Sequence, residues 1–153
     1  MERCVPDLAL LAPVPLVHIE DGQGVCANRR LGRVAYGSRN WQLFERLDAL
    51  RGNDCVDVYI YASHADDLRK AASWGARYVG HVRSTAGGLH PGGEKYRPPS
   101  TRGESDYWAV FWEVSDLKPL ANPLLLSDFR GFEADRNYDG GFIPEGPMLI
   151  EHP

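Results

Sequence analysis

CVDVYIYAS, residues 55–63, is the stretch on which the fold turns. Apolar and polar positions alternate through it, and Val, Ile and Tyr suit a pleated, half-buried surface, so it reads as a strand. On its N-terminal side, residues 35–52 (AYGSRNWQLFERLDALRG) contain a helix of about three turns that begins after Ser38. Ser38 stands as N-cap, Leu43, Leu47 and Leu50 recur at helical spacing, and Gly52-Asn53 supplies a left-handed stop. On its C-terminal side, residues 63–75 (SHADDLRKAASWG) read as a shorter helix, with Ser63 and Asp66 as a capping box and Gly75 at its end. Residues 76–84 (ARYVGHVRS) read as the next strand.

Further out, residues 12–20 (APVPLVHIE) read as a first strand, placed at a sheet edge by its prolines. Residues 31–36, 105–120 and 146–152 read as further strands, and 122–132 as a strand or short helical turn. Residues 87–103 (GGLHPGGEKYRPPSTRG) form a long loop that carries His, Lys, Tyr and Arg among its Gly and Pro, and loops of that length are functional or disordered. Strands outnumber helices. The expected architecture is α+β: one domain over residues 1–153, built as a strongly curved sheet or open barrel with flanking helices.

Composition excludes several classes. No apolar run reaches the ~20 residues of a membrane span, and Pro6, Pro13 and Pro15 interrupt an N-terminus that lacks a basic leader, so no signal peptide is expected. Cys4, Cys26 and Cys55 are odd in number and show no paired spacing, which points to a reducing, cytoplasmic setting. The net charge of −4 argues against a protein that coats nucleic acid without specificity. Residues 22–44 nevertheless carry Arg29, Arg30, Arg33 and Arg39 with no acid, and 76–103 carry Arg77, Arg83, Lys95, Arg97 and Arg102 against Glu94 alone. Should these segments converge, one face is positive.

Phosphate-loop, dinucleotide, nucleophile-elbow and zinc-protease motifs are all missing, and no histidine stands at zinc-finger spacing, so neither metal nor cofactor is expected. DRNYDGGFIPEG (135–146) places Asp135, Asn137, Asp139 and Gly140 as a calcium loop does, but Gly146 occupies the position of the closing glutamate, and the segment reads as an acidic turn. His81, Glu113 and Lys95 are the candidates for proton transfer, with Arg83 on the strand face of His81. Aromatic rings beside arginines are how proteins hold unstacked bases, although Tyr59 with Tyr61 and Trp108 with Trp112 also fit core stripes. Trp41 is not needed for the apolar face of its helix, and Arg39 and Asn40 stand in a first turn whose free N–H groups favour a polar ligand.

Taken in order, SRNWQLFERLDAL, GNDCVDVYIYAS, ARYVGHVRS and DYWAVFWEVSDLKPLANPLLLSDFR resemble the EVE domain of the PUA-like superfamily, which also contains the YTH and ASCH domains. The likeness runs over residues 36–130, and its most distinctive part is Arg39-Asn40-Trp41-Gln42 at an R-N-aromatic-Q run. VPLVHIE stands where the family has Y-W-L-x-K-S-E-P, Ala62 replaces its His, and the tryptophan before its R-N pair is missing. The resemblance implies a PUA-like curved sheet or pseudo-barrel and a pocket for a modified base in DNA or RNA, formed by Arg39, Asn40, Trp41, Tyr61 and Ser63. Charge adds Arg83, Lys95 and Arg97 as contacts to the nucleic-acid backbone. The function expected is a non-catalytic binding module; the alternative is a hydrolase of modified nucleosides or small amides on an ASCH-like scaffold.

Overall fold

The computed structural model describes residues 3–64, 70–104, 106–134, 136–139 and 141–153. In chain order the elements are β1 (Cys4–Pro15), α1 (Leu16–Ala27), β2 (Val34–Ser38), α2 (Trp41–Arg51), β3 (Cys55–Ser63), β4 (Ala71–Arg83), β5 (Val110–Leu125) and β6 (Met148–Glu151). The strands form one mixed sheet in the order β2-β5-β4-β3-β1-β6, parallel only between β1 and β3. Three strands separate β2 from β1, yet Val34 and Tyr36 share a buried cluster with Leu10, Ala12 and Val14. The sheet therefore curls until its β2 edge faces the end of β1, and both helices add side chains to that same cluster. On the opposite face, Ala9, Leu11 and Ile150 are covered by Leu126, Phe129 and Tyr138.

The strand at 55–63 has the bounds its alternation indicates. Val56, Val58 and Ile60 enter the main core, whereas Tyr59 and Tyr61 face the second cluster. Two helix assignments change. Residues 16–20, expected to continue the first strand, instead open α1, whose Ile19, Gly22, Val25 and Cys26 are buried along one side. Its two glycines lower helix propensity and hide the pattern, but Gly22 is there for packing: a Cβ would overlap the Tyr36 hydroxyl, which donates to His18 O at 3.1 Å. Conversely, the helix expected over 63–75 does not extend to residues 71–75, which are strand. Ala71 opens β4, and Gly75 pairs with Tyr59 and Lys118 in mid-strand. Pairing on both sides overrides the helical preference of alanine. Asp66, the proposed capping partner, lies outside the described residues, as do Asp135 and Gly140 of the acidic turn.

β1 also differs from the expected edge strand, since it lies between β3 and β6. Its prolines are accommodated because β6 pairs only with Leu8, Ala9, Leu10 and Leu11. Pro13 and Pro15 fall beyond that ladder, where a missing N–H leaves no hydrogen bond unmade. At the start of α2 the cap is Asn40, whose Oδ1 accepts from Leu43 N at 3.3 Å. Ser38, the expected cap, is instead the buried end of β2, and its Oγ accepts from Asn40 N. Phe44 and Leu47 form the buried face of α2, whereas Leu50 is exposed.

Cysteine pairing is a further correction. Parallel alignment of β1 on β3 sets Cys4 opposite Cys55 at a Cα separation of 4.3 Å, and the two form a disulfide. The register, invisible in the spacing of the cysteines, makes the pair, and the case for a reducing compartment loses its support. Reduction, or Cys4→Ser with Cys55→Ser, is expected to lower stability by about 2–4 kcal/mol. Urea unfolding with and without reductant measures this; superimposable curves would show that the crosslink restrains nothing. No described helix is long and apolar enough to cross a membrane.

Candidate functional site

The curl of the sheet leaves a pocket of about 510 Å³ between the free end of β1, the β2–α2 junction and the loop before β5. Pro13, Val14 and Pro15 form one wall, and Gly37, Ser38, Arg39 and Asn40 form another. Across from them, residues 84–104 and 106–109 belong to a strap with single 3-10 turns at Glu94–Tyr96 and Pro99–Thr101. Arg97 pins this strap. It is 7% exposed, donates to Ala35 O at 2.8 Å and to Glu104 Oε1 at 2.6 Å, and lies 5.0 Å from the centre of the Phe111 ring. Burial pulls the Arg97 pKa below its ordinary value against the opposing charge of Glu104.

Trp108 is the main aromatic surface of the pocket. Its ring lies against Gly37 so closely that a Cβ there would overlap it. Glycine in a strand commonly marks such an approach. The indole Nε1 donates to Glu104 Oε1 at 3.1 Å, and the Arg39 guanidinium lies 4.9 Å from the ring centre, 3.8 Å from Asp106. Trp112 is buried behind it against Tyr36 and Phe44. His18 completes the lining; its Nδ1 is 2.7 Å from Ser100 Oγ, and burial lowers its pKa despite nearby carboxylates, favouring the neutral ring. Arg39 and Arg97 face Glu104, Asp106 and Glu145, so the pocket carries one negative charge in excess. A neutral, donor-bearing ligand suits it better than a free phosphate.

Of the residues singled out in the sequence, Arg39 and Asn40 line this pocket together. Trp41 follows them at the first turn of α2, 43% exposed and outside the lining. Tyr61 packs on the second cluster, on the other face of the sheet from α2. Ser63 ends β3 opposite Pro15, half-buried. Arg83 and Lys95 are exposed, near Glu45 and the Tyr96 ring respectively. Arg97, expected on the backbone of a nucleic acid, is instead held inside the fold by Ala35 and Glu104. Trp108 was not singled out because it resembles a partner of Trp112 in a strand stripe; β5 starts only at Val110, which frees Trp108 to turn onto Gly37.

The candidate proton-transfer groups lie elsewhere. His81 and Arg83 do share a face, toward α2, where they meet Asp48 at 2.6 Å and Glu45 at 3.7 Å. Asp48 also accepts from Arg51 and from the Tyr78 hydroxyl, whose pKa is raised by burial and then by Asp48 itself. Glu113 is buried and accepts from Arg33 Nε at 3.0 Å and His90 Nε2 at 3.1 Å. Gly92 N–H donates to His90 Nδ1, so the proton of the neutral ring sits on Nε2. Thus the two basic segments do meet, at Arg33, Tyr96 and His90, but around a buried carboxylate.

Burial alone would raise the Glu113 pKa, and the His90 hydrogen bond with the Arg33 charge outweighs it, so the folded value falls below the ordinary one. Its contribution is therefore complete above the unfolded carboxylate pKa and is lost as pH falls through the folded value. The stability gap between the native chain and Glu113→Gln is expected to shrink from pH 7 to pH 3; a gap constant across urea titrations at both values would refute this. Among the described residues, no group of three or more His, Cys, Asp or Glu side chains is placed to hold a metal ion. Comparison with family models, with curated proteins and with solved structures finds no match to this chain.

Proposed function

We propose that the protein is a PUA-like binding module that takes a modified nucleobase of DNA or RNA into the pocket between β1, β2 and the strap. The observation that carries this reading is the seat of Trp108: a tryptophan laid on a strand glycine, flanked by the Arg39 guanidinium, in a cavity of about 510 Å³. That volume is within the range of small-molecule pockets, about 300–1,000 Å³. An indole face beside hydrogen-bonding side chains is the surface on which an unstacked base is held. The curved sheet with two helices is compatible with the PUA-like architecture that the resemblance implies.

In this reading Trp108 supplies the aromatic wall at the pocket, where the resemblance placed Trp41 and Tyr61, and Arg39 and Asn40 keep their places there. Arg83 and Lys95 remain the groups for the sugar–phosphate backbone, being exposed as such contacts require. The binding function is favoured over hydrolysis because His81, Glu113 and Lys95 all lie outside the pocket lining. Titration of the tryptophan fluorescence with a panel of modified nucleosides tests the proposal. Saturable quenching that Trp108→Ala removes is expected, and an unresponsive spectrum across the panel contradicts it.

A further inference from the structure

Among the described residues, Glu104 is the side chain that accepts the hydrogen bond of the Trp108 indole. Its Oε1 accepts from Trp108 Nε1 at 3.1 Å and from Arg97 Nη2 at 2.6 Å. Two donors on one oxygen fix the plane of the carboxylate, and a carboxylate paired with buried Arg97 offers its ligand acceptors only. Its second oxygen accepts no hydrogen bond among the described residues, although the side chain lines the pocket. Because the contact runs through the indole N–H, Glu104 stands at the edge of the Trp108 ring and not over its face. A planar ligand stacked on that face lies about 3.5 Å away, with its rim beside the same carboxylate.

We infer that Glu104 is a specificity-determining residue, whose free oxygen selects planar bases carrying an exocyclic amine and rejects their keto counterparts. This rests on the base-binding reading above and adds the chemical class of base. An amine on that rim donates to the carboxylate, as the amino group of cytosine does to Glu or Asp in groove recognition. A carbonyl in the same position sets oxygen against an ionised oxygen, leaving both unsatisfied in a partly dry pocket. Asp106 and Glu145 add negative potential without supplying a donor, which pushes selection the same way.

The test uses nucleoside pairs that differ at this edge: 5-methylcytidine against 5-methyluridine, and adenosine against inosine, each titrated by tryptophan fluorescence. The amino member of each pair is expected to bind at least about tenfold tighter to the native protein. Glu104→Gln keeps an oxygen for Arg97 and Trp108 but can present an amide N–H₂ to the ligand, so the preference should narrow or reverse. A merely structural role for Glu104 would weaken both members of a pair alike, and that outcome overturns the inference. Equal affinities in the native protein overturn it without any variant, which keeps the test valid even if Glu104→Gln fails to fold. Binding by no member of either pair, while other modified nucleosides bind, overturns the inference alone; silence to all nucleosides removes the base-binding reading as well.

Discussion

Replacing Arg97 by methionine is expected to destabilise the protein by about 3–5 kcal/mol, the range for removing one partner of a buried ion pair. The size of the effect follows from what the side chain reaches. One arm of the guanidinium satisfies Ala35 O on β2, the other holds Glu104, and the plane lies against Phe111. Methionine fills much of the volume yet leaves a strand carbonyl without this donor and a carboxylate without its counter-charge. Arg97→Lys should recover only part of the loss, since an ammonium lacks the rigid fork that serves two acceptors together. Thermal unfolding followed by circular dichroism measures both; a melting temperature within 2 °C of native for Arg97→Met would show that the strap is held by other contacts.

The second large effect is expected at Gly37. A methyl group in Gly37→Ala overlaps the Trp108 ring, so the ring must leave its seat or the strand must move. Overpacking of this kind costs about 1–3 kcal/mol. Because the cause is one contact, Gly37→Ala and Trp108→Ala should not be additive: the double variant is expected to be more stable than the sum of the singles allows, by about 0.5–3 kcal/mol. Ligand affinity in Gly37→Ala should fall toward that of Trp108→Ala. Additive energies, measured by urea unfolding of the two singles and the double, would mean that the ring and the glycine are independent.

Part of this site is visible in the sequence. β3 has the bounds that its alternation indicates, α2 is marked by its apolar spacing and the Gly52 stop, and β6 lies within the last apolar stretch. Arg39 and Asn40 are legible at the pocket because they stand where a helix begins. The rest depends on tertiary pairing. α1 is hidden by Gly22, whose missing side chain makes room for Tyr36, and the opening of β4 is hidden by alanines that become strand only between two neighbours. The disulfide depends on a register that no cysteine spacing encodes.

Charge misled in a similar way. Arg33 and Arg97 belong to the basic segments, but each is turned to an internal carboxylate, Glu113 and Glu104 respectively. The site therefore emerges less as a basic groove than as a shallowly acidic pocket with an aromatic floor. Gly37, an isolated glycine in a strand, was the available signal for that floor.

The central claim is that Trp108 is the surface on which the ligand lies. It is tested most directly by titrating native protein and a folded Trp108→Ala variant with the same modified nucleosides, using calorimetry so that the readout does not depend on the tryptophan removed. Saturable binding to the native chain, weakened by at least about tenfold in the variant as expected for a lost base–aromatic stack, supports the account. Equal affinities for the two proteins would contradict it.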